Sequence, residues 1–347
     1  MNSKWIEGRR TMSLLLAVTV LSIMAAQLTL AVSGPAENNV AANKGNVATF
    51  SIVAHDSATG ELGIAVASRF FTVGNVVPWA KAGVGAVATQ AYANTSFGWR
   101  GLDLLESGLT PEEVREVLVR NDDNPSRRQF GIVSADGQSA TYTGEGCTAW
   151  AGGRSGPGYA IQGNILAGEA VVIAMEEAYS GTTGTLADRL YAALLAGEEA
   201  GGDSRGKQSA AMLVVKENSG YGGYTDRAID IRVDDHAEPF KELGRILKIG
   251  QMNYAWNEAW TFFTEKEYAK ALPPMERAAE LAPDYGEVFY DLACIRLANG
   301  DRTGALTALE KAIALNPKLT SQALVDDDLS DLRGDSEFER LTQPEKP

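Results

Sequence analysis

Cysteine and histidine are scarce. Only two of each occur in 347 residues: Cys147, Cys294, His55 and His236. Two cysteines so far apart leave no disulfide framework and no cysteine metal cluster. Two histidines offer little for a histidine-rich metal site, so neither a metal nor another cofactor is expected. A basic surplus is also missing. The formal charge is −14, which makes nucleic acid and anionic membrane surfaces poor partners and favours cationic or neutral substrates over anions. There is no Walker loop, no GxSxG elbow and no HExxH, so those enzyme classes have no support. What is present is 45% hydrophobic and 22% charged residues, the balance of a globular protein with a sizeable core and length for two domains.

The one long apolar run is Met12 to Val32, behind Lys4, Arg9 and Arg10 and ahead of the small residues Ala31-Val32-Ser33. This is the pattern of a secretory signal peptide over 1–33, with an uncleaved membrane anchor as the alternative. The chain is therefore expected to be exported, and to meet a membrane only if that leader stays. Residues 34–48 (GPAENNVAANKGNVA) are small, polar and aperiodic, as a flexible tether would be.

From Thr49 to about Ile249 strand and helix signals alternate. Strands are expected at 49–54, 62–68, 85–90, 130–134, 140–143, 159–164, 210–216 and 229–233. Helices are expected at 97–107, 110–121, 169–180 and 185–199. Thr110, Pro111 and Glu113 open one of them as cap, first-turn proline and dipole-facing acid. Strands come in blocks, which suits stacked sheets covered by helices better than a doubly wound sheet. After about residue 250 strand signals vanish. MERAAELAP (275–283) aligns with LEKAIALNP (309–317), the two prolines 34 residues apart. That is tetratricopeptide spacing, predicting two repeats over 250–317 and an acidic capping tail over 318–347. Pro273-Pro274 should kink or shorten one of these helices. Tyr254, Trp256, Trp260, Phe262 and Phe263 are read as repeat core, with a peptide groove as the alternative.

The hairpin TFSIVAHDSATGELGIAVAS begins at Thr49. Cleavage after Ala48 would give a threonine with a free amine at a strand's head, a minimal catalyst: the hydroxyl attacks a carbonyl and the α-amine takes its proton. An α-amine titrates at about 7.7–8.0, low enough to act as base. The second strand ends at Ser68-Arg69, next to Thr49 if the hairpin is antiparallel. Arg69 is then placed to orient substrate. Lys81 is the candidate cation that would lower the hydroxyl's pKa. Each also has an ordinary reading, as a strand residue or a solvated charge.

The stretches TFSIVAHDSATGELGIAVASRFF, VGNVVPWAKAGVGAVATQAYANTSFGWRGLDLL, GPGYAIQGNILAG and GYGGYTDRAIDIRVDDHAEPF closely resemble the domain-of-unknown-function family 1028, over residues 49–249. The resemblance implies an N-terminal-nucleophile (Ntn) hydrolase-like fold: a four-layer αββα sandwich, here followed by an all-α tetratricopeptide-like domain. Members lacking a leader typically begin Met-Thr at the position of Thr49. Here the threonine is internal, so its exposure needs a second cleavage, and Asn46-Val47-Ala48 is a poor signal-peptidase site. The fold implies an amide or peptide substrate but does not establish one.

Within the matched stretches, Asn164 is a candidate oxyanion donor, with an Asx turn as the alternative, and Asp226 a candidate partner for Lys81 or the amine. Ser68, Asn94 and Tyr224 are candidate substrate contacts, Asn94 otherwise belonging to a helix cap. Asp234, Asp235 and His236 are read as a surface turn, because adjacent strand side chains point apart. Cys147 is read as packing rather than nucleophile. Two functions stay open: an Ntn-type hydrolase whose repeats recruit a protein partner, or a non-catalytic binding and scaffolding protein of the same fold. Homo-oligomerisation is compatible with either.

Overall fold

A computed structural model describes residues 49–343; the expected leader, tether and last four residues of the tail lie outside the described residues. Among the described residues ten strands form two antiparallel sheets. The six-stranded sheet holds β1 (Thr49–His55), β2 (Leu62–Ser68), β7 (Gly152–Gly156), β8 (Tyr159–Asn164), β9 (Ser209–Val215) and β10 (Arg227–Val233), in the order β10-β9-β2-β1-β8-β7. The four-stranded sheet runs β3-β4-β5-β6, from Pro78–Lys81, Gly85–Ala91, Arg128–Ser134 and Ser139–Thr143. β1 is thus central, hydrogen-bonded on both sides.

Alternation along the strands makes the layers. In β1, Phe50, Ile52 and Ala54 point outward into a core shared with α3 (Ala170–Gly181), α4 (Leu186–Glu199) and the first half of α5 (Pro239–Thr264). Val53 points inward, to a second core between the sheets with Ile64, Val66, Ala88, Val133 and Leu213. The outer face of the smaller sheet, with Val87, Phe130 and Ile132, is covered by α1 (Ser96–Glu106) and α2 (Pro111–Arg120). Helix layers therefore close both outer faces. Thr110 caps α2 as its sequence suggests, in a reciprocal capping box with Glu113.

Beyond the sheets come α6 (Tyr268–Leu281), α7 (Gly286–Ala298), α8 (Arg302–Leu315), and the short α9 (Leu319–Ala323) and α10 (Ser336–Thr342). α6 and α8 begin and end 34 residues apart, and α7 ends 34 residues after α5. Ala271, Met275, Ala278, Val288, Leu292, Ile295, Leu309 and Ala312 make one apolar core, which Leu329, Leu332 and Phe338 of the tail close. Leu324 stays exposed. Pro273 and Pro274 do not end α6; they sit inside it, between the buried Ala271 and Met275. Trp256, Phe262 and Phe263 pack against this core, while Tyr254 packs against the sandwich. No loop separates the two regions at residue 250. α5 runs unbroken for 26 residues. Phe240, Leu243 and Leu247 enter the sandwich core, Ala255 and Ala259 the helical one. The shift in composition there marks a change of buried partner, not a break in the chain.

Two strands escape sequence reasoning. β3 (PWAK) is only four residues long, and β7 (GGRSG) has no apolar alternation, existing as the edge partner of β8. Among the described residues no helix is long and apolar enough to cross a membrane.

Candidate functional site

Thr49 opens β1, with Ser68 opposite it on β2 and Asn164 opposite it on β8. Ser209 of β9 lies opposite Ser68. One polar row, Asn164-Thr49-Ser68-Ser209, therefore crosses four strands at one end of the sheet, every member buried. Thr49 Oγ1 donates to Ser68 Oγ at 3.2 Å, and Ser209 Oγ donates to Phe70 O at 2.5 Å.

The facing sheet answers with glutamines. Gln90 Nε2 donates to Thr49 O at 3.1 Å and to Gln129 Oε1 at 2.9 Å. Asn164 Nδ2 donates to the same Gln129 oxygen at 2.8 Å. Ser51 Oγ donates to Gln90 Oε1 at 2.5 Å and accepts from Gln162 Nε2 at 2.6 Å. Gln129 Nε2 donates to Gly163 O at 2.7 Å and Thr143 Oγ1 at 2.9 Å. Gly131 is required beneath this network, because a Cβ there would lie 2.0 Å from Gln162 Oε1. Among the described residues every buried side-chain nitrogen and oxygen has a partner. Such a network is rigid because each broken bond strands a buried dipole.

Two residues next to it hold unusual backbone. Ala91, after Gln90, and Ile165, after Asn164, have φ of 64° and 53°. A β-branched residue in the left-handed region is strained, and such strain gathers where geometry matters for function.

A cavity of about 370 Å³ opens at this end. Its lining combines Thr49 and Gln90 with Ala91, Tyr92 and Ala93 of the chain leaving β4, the apolar Phe70, Val73, Val76 and Val77, and Arg128 at the head of β5. Arg128 is the only charged residue among the described residues lining it. Its Nε donates to Asp122 Oδ1 at 2.9 Å and its Nη1 to Tyr92 O at 2.6 Å. Burial tends to raise the Asp122 carboxyl, but hydrogen bonds from Asn94, the Asn124 amide and Arg128 outweigh it and hold the pKa below the usual value.

The expected site residues divide accordingly. Ser68 and Asn164 stand beside Thr49, Asn164 with its amide tied to Gln129. Arg69 follows Ser68, but its guanidinium turns to Arg205 O at 2.5 Å, and its amide donates to the buried Asp203 at 2.8 Å. Asn94 does not line the cavity. It serves α1, accepting from Ser96 N at 3.1 Å, and steadies Asp122 at 2.8 Å.

Lys81 is not at the site. It pairs with Gly85 at the far end of β4 from Gln90, about 17 Å away at ~3.4 Å per residue. Its ammonium bonds Glu106 at 2.5 Å. It lines a separate cleft of about 530 Å³ together with Asp226, whose carboxylate accepts from Asn218 N at 3.0 Å. Neither can tune Thr49. Tyr224 is 90% exposed, on the loop before β10, and meets no part of the cavity. The reason for all three is topological: antiparallel pairing puts the end of β3 and the start of β10 at the end of the sheets opposite Thr49.

Neither histidine is available as a base. His55 closes β1 at its other end, and His236 Nδ1 accepts from Glu238 N at 3.0 Å beyond β10. With Asp234 and Asp235, His236 forms the turn into α5. Burial raises the Cys147 thiol, whose Sγ donates to Arg128 O at 3.4 Å, which suits packing rather than attack. No motif in the sequence marks Gln90, Gln129, Gln162 or Arg128. The available signal was parity: in VATQ, RQFGIVS and AIQGN the inward-facing positions change from apolar to polar at one strand end.

The fold and site together define a two-sheet α+β domain with a threonine-headed central strand, joined to a helical region through a shared helix. The chain belongs to the family of unknown function DUF1028, whose pattern matches residues 49–243. It is similar to the crystal structure of protein SPO2555 from Silicibacter pomeroyi, also assigned to DUF1028. The two share 30% identity and a TM-score of 0.54, over 59% of this chain and 89% of that one. No curated protein matches the chain.

Proposed function

We propose that this protein is an exported hydrolase of the N-terminal-nucleophile type, acting on an amide or peptide bond. Its layers correspond to the αββα sandwich of that class, and its 34-residue helical offset to two tetratricopeptide-like repeats that recruit a protein partner. One observation carries the reading: Thr49 heads the central strand, lines a cavity, and has its carbonyl held by Gln90. Cleavage of the Ala48–Thr49 bond frees the amine. Thr49 Oγ then attacks the substrate carbonyl while the amine takes the hydroxyl proton. The tetrahedral oxyanion gains support from the second N–H of Asn164, the first being spent on Gln129. The proton passes to the leaving nitrogen, and water hydrolyses the ester that remains.

A second reading has its own support. Among the described residues lining the cavity there is no carboxylate or histidine to serve as base, so a chain left uncut at Thr49 is read as a binding protein. Intact mass and N-terminal sequence of the exported protein separate the two. A chain starting at Thr49, with hydrolysis rising through about pH 7–8 as the amine deprotonates, supports the enzyme. A chain that keeps residues ahead of Thr49 overturns it.

A further inference from the structure

We infer that the Thr49 cavity selects substrates with a free carboxylate near the scissile amide and an apolar body, anchored by Arg128. This rests on reading that cavity as the substrate site. The chain's net charge is −14, yet the one charged side chain among the described residues lining the cavity is a cation. Bulk charge would favour cationic or neutral substrates; inside a small, largely apolar space the local charge dominates.

Arg128 is prepared rather than merely present. Asp122, its side chain 3% exposed, takes Nε from behind. Asp122 is in turn fixed by Asn94 and by the Asn124 amide at 2.8 Å each. Tyr92 O takes one Nη1 hydrogen. Two of the five guanidinium donors are thus used. Nη2 and the second Nη1 hydrogen have no protein partner among the described residues, and that pair suits a carboxylate bidentately. Asp122 alone would cancel the charge of Arg128. Arg127, stacked 3.9 Å from the centroid of the lining Tyr92 ring, adds a second cation beside it. Phe70, Val73, Val76 and Val77 supply the apolar wall for the rest of the molecule.

The test avoids turnover. Purified Thr49→Ala protein is titrated calorimetrically with N-acetyl-L-phenylalanine and with N-acetyl-L-phenylalanine amide, which differ only in the carboxylate. The expected result is at least tenfold tighter binding of the acid, lost in Arg128→Gln and partly kept in Arg128→Lys. Equal affinities, failure of the acid to bind, or a preference that survives Arg128→Gln each overturn the inference. If Arg128→Gln does not fold, the acid-to-amide ratio on the Arg128-containing protein decides alone. Failure of the two readings is distinguishable. Carboxylate selection without hydrolysis by the parent protein removes the nucleophile and leaves Arg128; hydrolysis indifferent to the carboxylate does the reverse.

Discussion

The layer between the two sheets has two ends of opposite character. Near Thr49 the inward positions are Thr49, Ser51, Ser68, Gln90, Gln129, Gln162 and Asn164, all buried and partnered. Further along the same strands they become Val53, Ile64, Val66, Ala88, Val133 and Ala160. The apolar end holds the sheets together by burial alone, at about 25 cal/mol per Å². The polar end gives less of that and more direction, since hydrogen bonds have angles and burial has none. A strand end needed for packing alone would carry valine. Glutamines there indicate that position, not adhesion, is being specified.

The sharpest way to break this comparison is to change the two ends in turn. Thr49→Ala should lower kcat/KM for amide hydrolysis by about 10³-fold or more with the fold retained by circular dichroism, the scale of losing a covalent nucleophile. Asp226→Ala, in the remote cleft, should leave it within about twofold. If the remote variant costs as much as Thr49→Ala, the chemistry is at the wrong end.

Gln129→Leu tests the network. It removes the acceptor of Gln90 and Asn164 and the donor to Gly163 O. Stranded buried groups of this kind cost about 2–4 kcal/mol, measurable as a lower midpoint in urea at unchanged slope. A loss under about 0.5 kcal/mol would mean the network is ornamental to stability.

The helical region sharpens the contrast, because it holds a carboxyl group against an indole where the polar end of the sandwich holds neutral amides and hydroxyls. Burial pushes the Asp291 carboxyl up to about 6 from 3.8, against the Trp256 indole that donates to it at 2.7 Å. The folded form binds the proton more tightly than the unfolded one. This group's contribution to stability therefore falls as pH rises from about 4 to 6, and the penalty is complete above that. Asp291→Asn should remove it, raising stability by about 1–3 kcal/mol at pH 7 and little at pH 4. Urea melts at both pH values check the sign. Lys81→Ala gives the smallest effect: its ion pair with Glu106 has both side chains about half exposed, and such pairs are worth about 0–1 kcal/mol.

Ser68 was placed beside Thr49 by hairpin geometry alone, since a short turn sets the register of both strands. Asn164 was reached through a motif, and its pairing with Thr49 was not. Lys81 lies away from the site for a plain reason. Linear distance to the next strand says nothing of which end of that strand faces the site, and β4 runs so that Gln90, not Gly85, approaches β1. Arg128 carries no mark in the sequence: it is one of two arginines in a surface-like stretch, NPSRRQF, with no periodicity.

The sequence by itself determined eight of the ten described strands, most of the helices, the threonine at the head of β1, the 34-residue helical offset and the α2 cap. All are local: they follow from alternation, spacing and capping within a few turns of chain. Only the tertiary structure decided that Gln90, Gln129, Gln162 and Arg128 gather around Thr49 while Lys81 and Asp226 do not. Gln90, Gln129 and Arg128 reach it from the facing sheet and Gln162 from the neighbouring strand β8, meetings about 40 to 110 positions apart in the chain that no local pattern encodes.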